Sequence, residues 1–281
     1  MACILLATSF GPGKEYALPI LAGVLPRLTG HRANCLGAVL TTFDAIPSVL
    51  VGDGALFTHE RLTSQDLPAS RSGRLARMRE SQRHYFLRRR SMTHLYWHDS
   101  DMVPPDDIIE RLLALDAPVA SGIYNVRGAQ GLLLPVAGSD PRLAAAPGGQ
   151  ELVELEAIGT LIRPYAVGMG CLLLRRDALE STPFRDPGWF RDEGMGEDVR
   201  WCLDWLEGAP LGESRRPVVD LALACWHIDA DGTGTRPQSA ISQAGVPQEK
   251  SEVPQPAPAG AGAAKRRVGR PRTRGLSALP A

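Results

Sequence analysis

Two rhythms of apolar and polar positions run through this chain: short unbroken apolar stretches, and longer ones that repeat at helical spacing. Residues 3–8 are an apolar run ending in Thr8-Ser9, and a Gly11-Pro12-Gly13 turn follows. Tyr16, Ile20, Leu21, Val24, Leu25 and Leu28 then recur with the period of a helix. A second strand is predicted over 33–42, running into Phe43-Asp44. Strand, helix and strand in that order open a parallel, nucleotide-binding sheet. Gly11-Pro12-Gly13-Lys14 is no phosphate loop: a P-loop's first glycine would fall at Thr8, and Glu15 stands where a hydroxyl residue belongs.

Arginines crowd residues 70–90: Arg71, Arg74, Arg77, Arg79, Arg83, Arg88, Arg89 and Arg90. Leu75, Met78, Gln82, Tyr85 and Phe86 lie among them at helical intervals, which predicts an amphipathic helix with a solvated basic face. Arg77 is the residue of that face expected to reach the phosphates of a ligand. The next apolar run, Leu95-Tyr96-Trp97, ends in Asp99-Ser100-Asp101, and Pro104-Pro105 keeps it from continuing as a strand. Strand residues alternate sides, so Asp99 and Asp101 are expected on one side, at the carboxyl edge where open α/β sheets bind ligands. Paired carboxylates suit a divalent cation that takes phosphate oxygens as further ligands. The plainer reading is that they cap a helix predicted over 106–115.

A strand follows at 117–123, and the Gly, Pro and Ala residues of 125–157 read as loops and a hairpin. Gly168-Met169-Gly170-Cys171 leads a buried strand, with Asp177 capping a short helix after it. Residues 183–190 read as a loop with exposed aromatics. Gly196-Glu197-Asp198 opens a helix through Trp201 and Trp205; acids there also complement the helix dipole. A last strand runs over 218–226, with His227 at its end. Beyond 229 no apolar period survives, so the expected organisation is one domain over 1–229 and a disordered linker and tail over 230–281.

At 281 residues and 44% hydrophobic, the chain can bury a large core. Its first residues lack a basic leader, and their apolar run is too short to span a membrane. Five scattered cysteines have no metal-finger spacing and fit a reducing compartment, so a cytoplasmic protein without membrane contact is expected. Net charge is zero, but residues 245–281 carry seven basic side chains against two acids. That puts the tail at +5 and the rest at −5, so any polyanion contact falls to the tail. The only lysines are Lys14, Lys250 and Lys265.

Taken in order, Thr8-Ser9, Ala76-Arg77, Asp99-Ser100-Asp101, Gly168-Met169-Gly170-Cys171, Gly196-Glu197-Asp198 and His227 resemble a glycosyltransferase of the GT-A fold, family-two-like, over roughly residues 3–228. The resemblance implies an α/β fold with a mostly parallel central sheet flanked by helices. It implies that Thr8, Ser9, Arg77 and Asp99 line the nucleotide-sugar site, with a UDP-sugar as donor. Asp101, with Asp99 and His227, would hold Mn²⁺ or Mg²⁺ on the diphosphate. Asp198 would take the acceptor hydroxyl's proton, supported by Glu197, with inversion at the sugar carbon. The second strand lacks the acidic pair that reads uracil in the family, and Asp44 is its only substitute.

Three other readings stay open. Asp99-Ser100-Asp101-Met102-Val103 also fits the nucleophile motif of haloacid-dehalogenase-like phosphatases. Those enzymes need a lysine between that motif and the later acids, and none lies there. Val268-Gly269-Arg270-Pro271-Arg272 approaches the Arg-Gly-Arg-Pro core of an AT-hook, with valine for the first arginine, so the chain can also be read as a DNA-binding adaptor; a plain solubilising tail has the same composition. Catalytic body and basic tail together point to DNA as acceptor, for instance a 5-hydroxymethylpyrimidine, with a saccharide or small molecule as the alternative.

Overall fold

The computed structural model describes residues 2–10, 13–30, 35–42, 57–61, 68, 70–127, 133–135, 137–138, 161–185, 196–208 and 215–235. Of these, 29–30, 35–42, 57–61, 126–127, 133–135 and 137–138 are described by their backbone path alone. In chain order the strands are β1 (Ile4–Phe10), β2 (Cys35–Thr42), β3 (Phe57–Arg61), β4 (His94–Asp99), β5 (Met102–Val103), β6 (Val119–Ile123), β7 (Asn125–Arg127), β8 (Leu133–Pro135), β9 (Ala137–Gly138), β10 (Leu161–Ile162), β11 (Ala166–Val167), β12 (Cys171–Arg175), β13 (Val218–Ala224), β14 (Trp226–Ile228) and β15 (Gly234–Thr235). The helices are α1 (Leu18–Gly30), α2 (Arg71–Leu87), α3 (Ile108–Ala114), α4 (Arg176–Ser181) and α5 (Glu197–Glu207).

Eight strands form the central sheet in the order β10-β13-β6-β12-β4-β1-β2-β3. β4, β1, β2 and β3 run parallel, as do β6 and β13. Between these two groups β12 lies antiparallel to both neighbours, and β10 closes the far edge antiparallel. The sheet is mostly parallel and carries helices on both faces. The alternation of β1 divides the core: Leu5 and Ala7 join Tyr85, Phe86, Trp201 and Trp205 on one face. Ile4 and Leu6 join Leu21, Val24, Leu25, Ile109 and Leu112 on the other. Each fully buried leucine of this kind contributes about 1.5–3 kcal/mol.

Two local features set the position of the site. β4 ends at Asp99, where its backbone N–H donates to Gly170 O at 3.0 Å, and Ser100-Asp101 turn out of the sheet. The main sheet also loses the last strand early. The β13 register slips between Asp220 and Ala224, Cys225 N bonds Ile123 O at 2.8 Å, and the chain crosses into a small three-stranded sheet, β15-β14-β5. The run expected as one strand over 218–226 is therefore two, and His227 lies in β14 opposite Met102 rather than at a strand end. β15 pairs with β14 through Thr235, so the boundary expected at 229 falls inside a hairpin. The residues from 236 onward, with the basic tail, lie outside the described residues, as do Phe43 and Asp44.

Candidate active site

α5 delivers its first-turn carboxylates by way of an aromatic row. Trp97 of β4 meets Phe184 edge-on at 4.9 Å, Phe184 stacks on Trp201 at 5.5 Å, and Trp201 on Trp205 at 6.2 Å. Both α5 indoles are pinned, Trp201 Nε1 donating to Thr182 O at 3.0 Å and Trp205 Nε1 to Arg215 O at 2.8 Å. Phe184 is 5% exposed, so the loop expected to display aromatics buries this one as part of the row. Gly196 precedes the helix, and a Cβ there would stand 2.6 Å from Asp198 Oδ1.

From the opposite helix comes Arg79, buried at 4% exposure. Its Nε donates to Glu197 Oε1 at 3.0 Å and its Nη2 to Asp99 Oδ1 at 3.2 Å. Arg77, the arginine expected to reach a ligand's phosphates, is exposed. Two residues along a helix is a rotation of about 200°, so the two guanidiniums leave α2 on nearly opposite sides. One turn further on, Gln82 donates to Thr8 O at 2.7 Å and Ser9 Oγ at 3.2 Å, and accepts from Trp97 Nε1 at 2.6 Å. Ser9 stands beside Asp99 in the β1–β4 register. Thr8, opposite His98 in the same register, is fully buried.

The second half of the site gathers on Asp101, 2% exposed. Its Oδ2 accepts from the Lys14 ammonium and from Tyr16 OH at 2.9 Å, and His227 Nε2 lies 3.4 Å away. Ile228 N donates to Asp101 O at 2.9 Å, which fixes β14 against the turn. Asp99 and Asp101 are two residues apart yet serve different partners, since the strand that would have put them on one side stops at the first of them. Among the described residues no three acidic, histidine or cysteine side chains converge on a common metal position. Asp99 pairs with Arg79, whereas Asp101 pairs with Lys14, Tyr16 and His227.

Tyr124 joins the halves. Its OH accepts from Gly170 N at 3.0 Å, and its ring centroid is 6.4 Å from that of His227. Burial first, then the negative charges of Asp99 and Asp198, raise the Tyr124 phenol well above its ordinary range.

Electrostatics differ between the halves. Burial pushes Glu197 up to about 7; Arg79 opposes this and the charge of Asp198 adds to it. The guanidinium stays charged, so the carboxylate yields: burial outweighs the ion pair. Asp198, half-buried, is also raised by burial, against the Val199 N–H it accepts at 2.8 Å and against Arg79. Asp101 goes the other way. Burial would raise it, but His227 and Lys14 prevail and hold it below the ordinary aspartate range. Burial works against the Lys14 ammonium, and Asp101 outweighs it to raise the Lys14 pKa.

Asp101 Oδ2 and His227 Nε2 are side by side, an oxygen and an imidazole nitrogen of the types that ligate divalent cations. Two neighbouring ligands of an octahedral ion at about 2.1 Å sit about 3.0 Å apart, close to the 3.4 Å seen here. Lys14, Tyr16, Arg79, Gln82 and Tyr124 were not among the expected site residues. Only Lys14 left a signal in the sequence, as the sole lysine before residue 250.

No model of a known protein family matches this chain, and no curated protein matches it in sequence. Among solved structures, GalNAc-T7 with UDP, GalNAc and Mn²⁺ superimposes with a TM-score of 0.52 at 12% identity over 82% of this chain. This chain spans less than half of that protein, 44% of its length. Glucosyl-3-phosphoglycerate synthase from Mycobacterium tuberculosis with phosphoglyceric acid follows at 0.47 and 13%, over 78% of this chain and 69% of that one. A197 from STIV gives 0.43 and 16%, over 85% and 95%. With the sheet order described above, the first of these shows the GT-A fold. Among the described residues, no helix is long and apolar enough to cross a membrane.

Proposed function

We propose that this chain is a metal-assisted glycosyltransferase that moves a sugar from a nucleotide-diphosphate donor to a hydroxyl acceptor. The observation that carries the reading is the meeting of Asp101 and His227, 3.4 Å apart, just past the end of β4, where Asp99 lies in register with Ser9 in a GT-A sheet. When bound, Mn²⁺ or Mg²⁺ neutralises charge on the departing diphosphate. Asp101 and His227 would hold it, while Asp99, fixed by Arg79, would face the donor's ribose and base. Asp198 takes the acceptor's proton, and Glu197 keeps Arg79 and the helix start in place. An acceptor attacking from the face opposite the diphosphate inverts the sugar carbon. The donor is read as a UDP-sugar from the resemblance and from the UDP in the GalNAc-T7 structure. The fold argues against the phosphatase reading.

The acceptor is open between a saccharide or small molecule and hydroxymethylated DNA held by the +5 tail. Charge alone supports the latter. Mass spectrometry of products from a nucleotide-sugar panel with Mn²⁺, offered saccharides, hydroxymethylated DNA and plain DNA, tests both levels. Metal-dependent sugar transfer or donor hydrolysis supports the transferase. Cleavage of a generic phosphate ester with no nucleotide-sugar turnover overturns it. Equal background labelling of both DNAs removes DNA as acceptor.

A further inference from the structure

Lys14 is the one lysine of the described chain, and it is placed on the oxygen the metal would need. Asp101 Oδ2 is at once the acceptor for the Lys14 ammonium and for Tyr16 OH, and the atom nearest His227 Nε2. The carboxylate is buried, and a buried charge without a positive partner is costly. His227 is held by β14, which pairs with both β5 and β15, and cannot readily leave. Lys14 is different. Its side chain is 32% exposed, it follows Gly13 at φ 82° with open space around that glycine, and its ammonium rides on a flexible four-carbon stem. Two cations cannot share one carboxylate oxygen at bonding distance without strong repulsion in so enclosed a place.

We infer that Lys14 is a resident counter-cation of the metal position, holding Asp101 Oδ2 until a divalent cation displaces it. The inference rests on the transferase reading for the identity of the metal ligands, but not on turnover. Metal loading then includes the work of moving the ammonium aside, so the site binds a free cation weakly.

Calorimetric titration of Mn²⁺ into the full chain without nucleotide tests this. Lys14→Gln should bind Mn²⁺ about tenfold more tightly than the unaltered protein, the scale of one removed close charge contact. Lys14→Arg, which keeps the charge, should bind it as weakly as the unaltered protein. Mn²⁺ should also raise the melting temperature of Lys14→Gln more than that of the unaltered chain. Unchanged or weaker Mn²⁺ binding in Lys14→Gln overturns the inference, and so does Lys14→Arg binding as tightly as Lys14→Gln. Failure of the transferase reading looks different: no nucleotide-sugar turnover with any metal, while these nucleotide-free titrations are still read.

Discussion

Arg79 Nε lies 3.0 Å from Glu197 Oε1, both side chains nearly sealed from solvent and 118 residues apart in the chain. The same guanidinium reaches Asp99, so one buried cation ties the end of β4 to the start of α5. The two edges of the proposed reaction, donor at Asp99 and acceptor at Asp198, are thereby set relative to each other.

Removing that cation leaves a carboxylate buried at 5% exposure. Arg79→Met should cost about 3 kcal/mol in urea unfolding, near the lower end for a broken buried pair because Glu197 can take a proton. Arg77→Met, on the exposed side of α2, should stay within about 0.5 kcal/mol. Equal effects would mean that Arg79 is not the anchor.

The contrast between those two arginines shows how far the sequence could be read. β1, β4, the run behind β12, the helix α2 and the helix start at Glu197 follow from apolar period and from the acids at that start. The DSD and GED segments followed as candidates for one edge. The arginine that enters the core did not, because a guanidinium is buried by its partners, and those sit 20 and 118 residues away. His227 was expected at the end of one long strand; it lies within β14 instead, beyond a register slip in β13 that leaves no mark in hydrophobic spacing, and only the resemblance linked it to Asp101. β3, with His59-Glu60-Arg61, has no apolar alternation to announce it.

Stability should depend on pH in two windows of opposite sign. Glu197 is raised from 4.5 to about 7, so between those values the folded protein holds more protons than the unfolded chain and loses stability as pH rises, levelling above about 7. Asp101 is depressed, so its contribution is complete above the ordinary aspartate value of 3.8 and is lost as pH falls below it. Melting temperature against pH should show both, and Glu197→Gln should flatten the first. A slope unchanged in that variant would assign it to another group.

Gly170 should tolerate no side chain. A Cβ there would meet Tyr124 Cζ at 2.9 Å, on a ring that is itself 5% exposed. Gly170→Ala should cost about 1–3 kcal/mol in denaturant unfolding. Tyr124→Phe, which loses only the bond from Gly170 N, should cost about 1 kcal/mol. The reverse order would show that the ring has room to move.

For the proposed base, Asp198→Asn should slow turnover by about 10²–10⁴ while donor affinity is kept. A fall in UDP affinity with little change in rate would reassign Asp198 to the donor.

The central claim is that Asp101 and His227 hold a divalent cation against a nucleotide diphosphate. Calorimetric titration of UDP into the unaltered protein and Asp101→Asn, each with Mn²⁺ and with EDTA, addresses it directly. The unaltered protein should bind UDP at least about tenfold more tightly with Mn²⁺, and Asp101→Asn should bind it equally weakly in both conditions. UDP binding that ignores EDTA, or a metal enhancement that survives Asp101→Asn, would contradict the account.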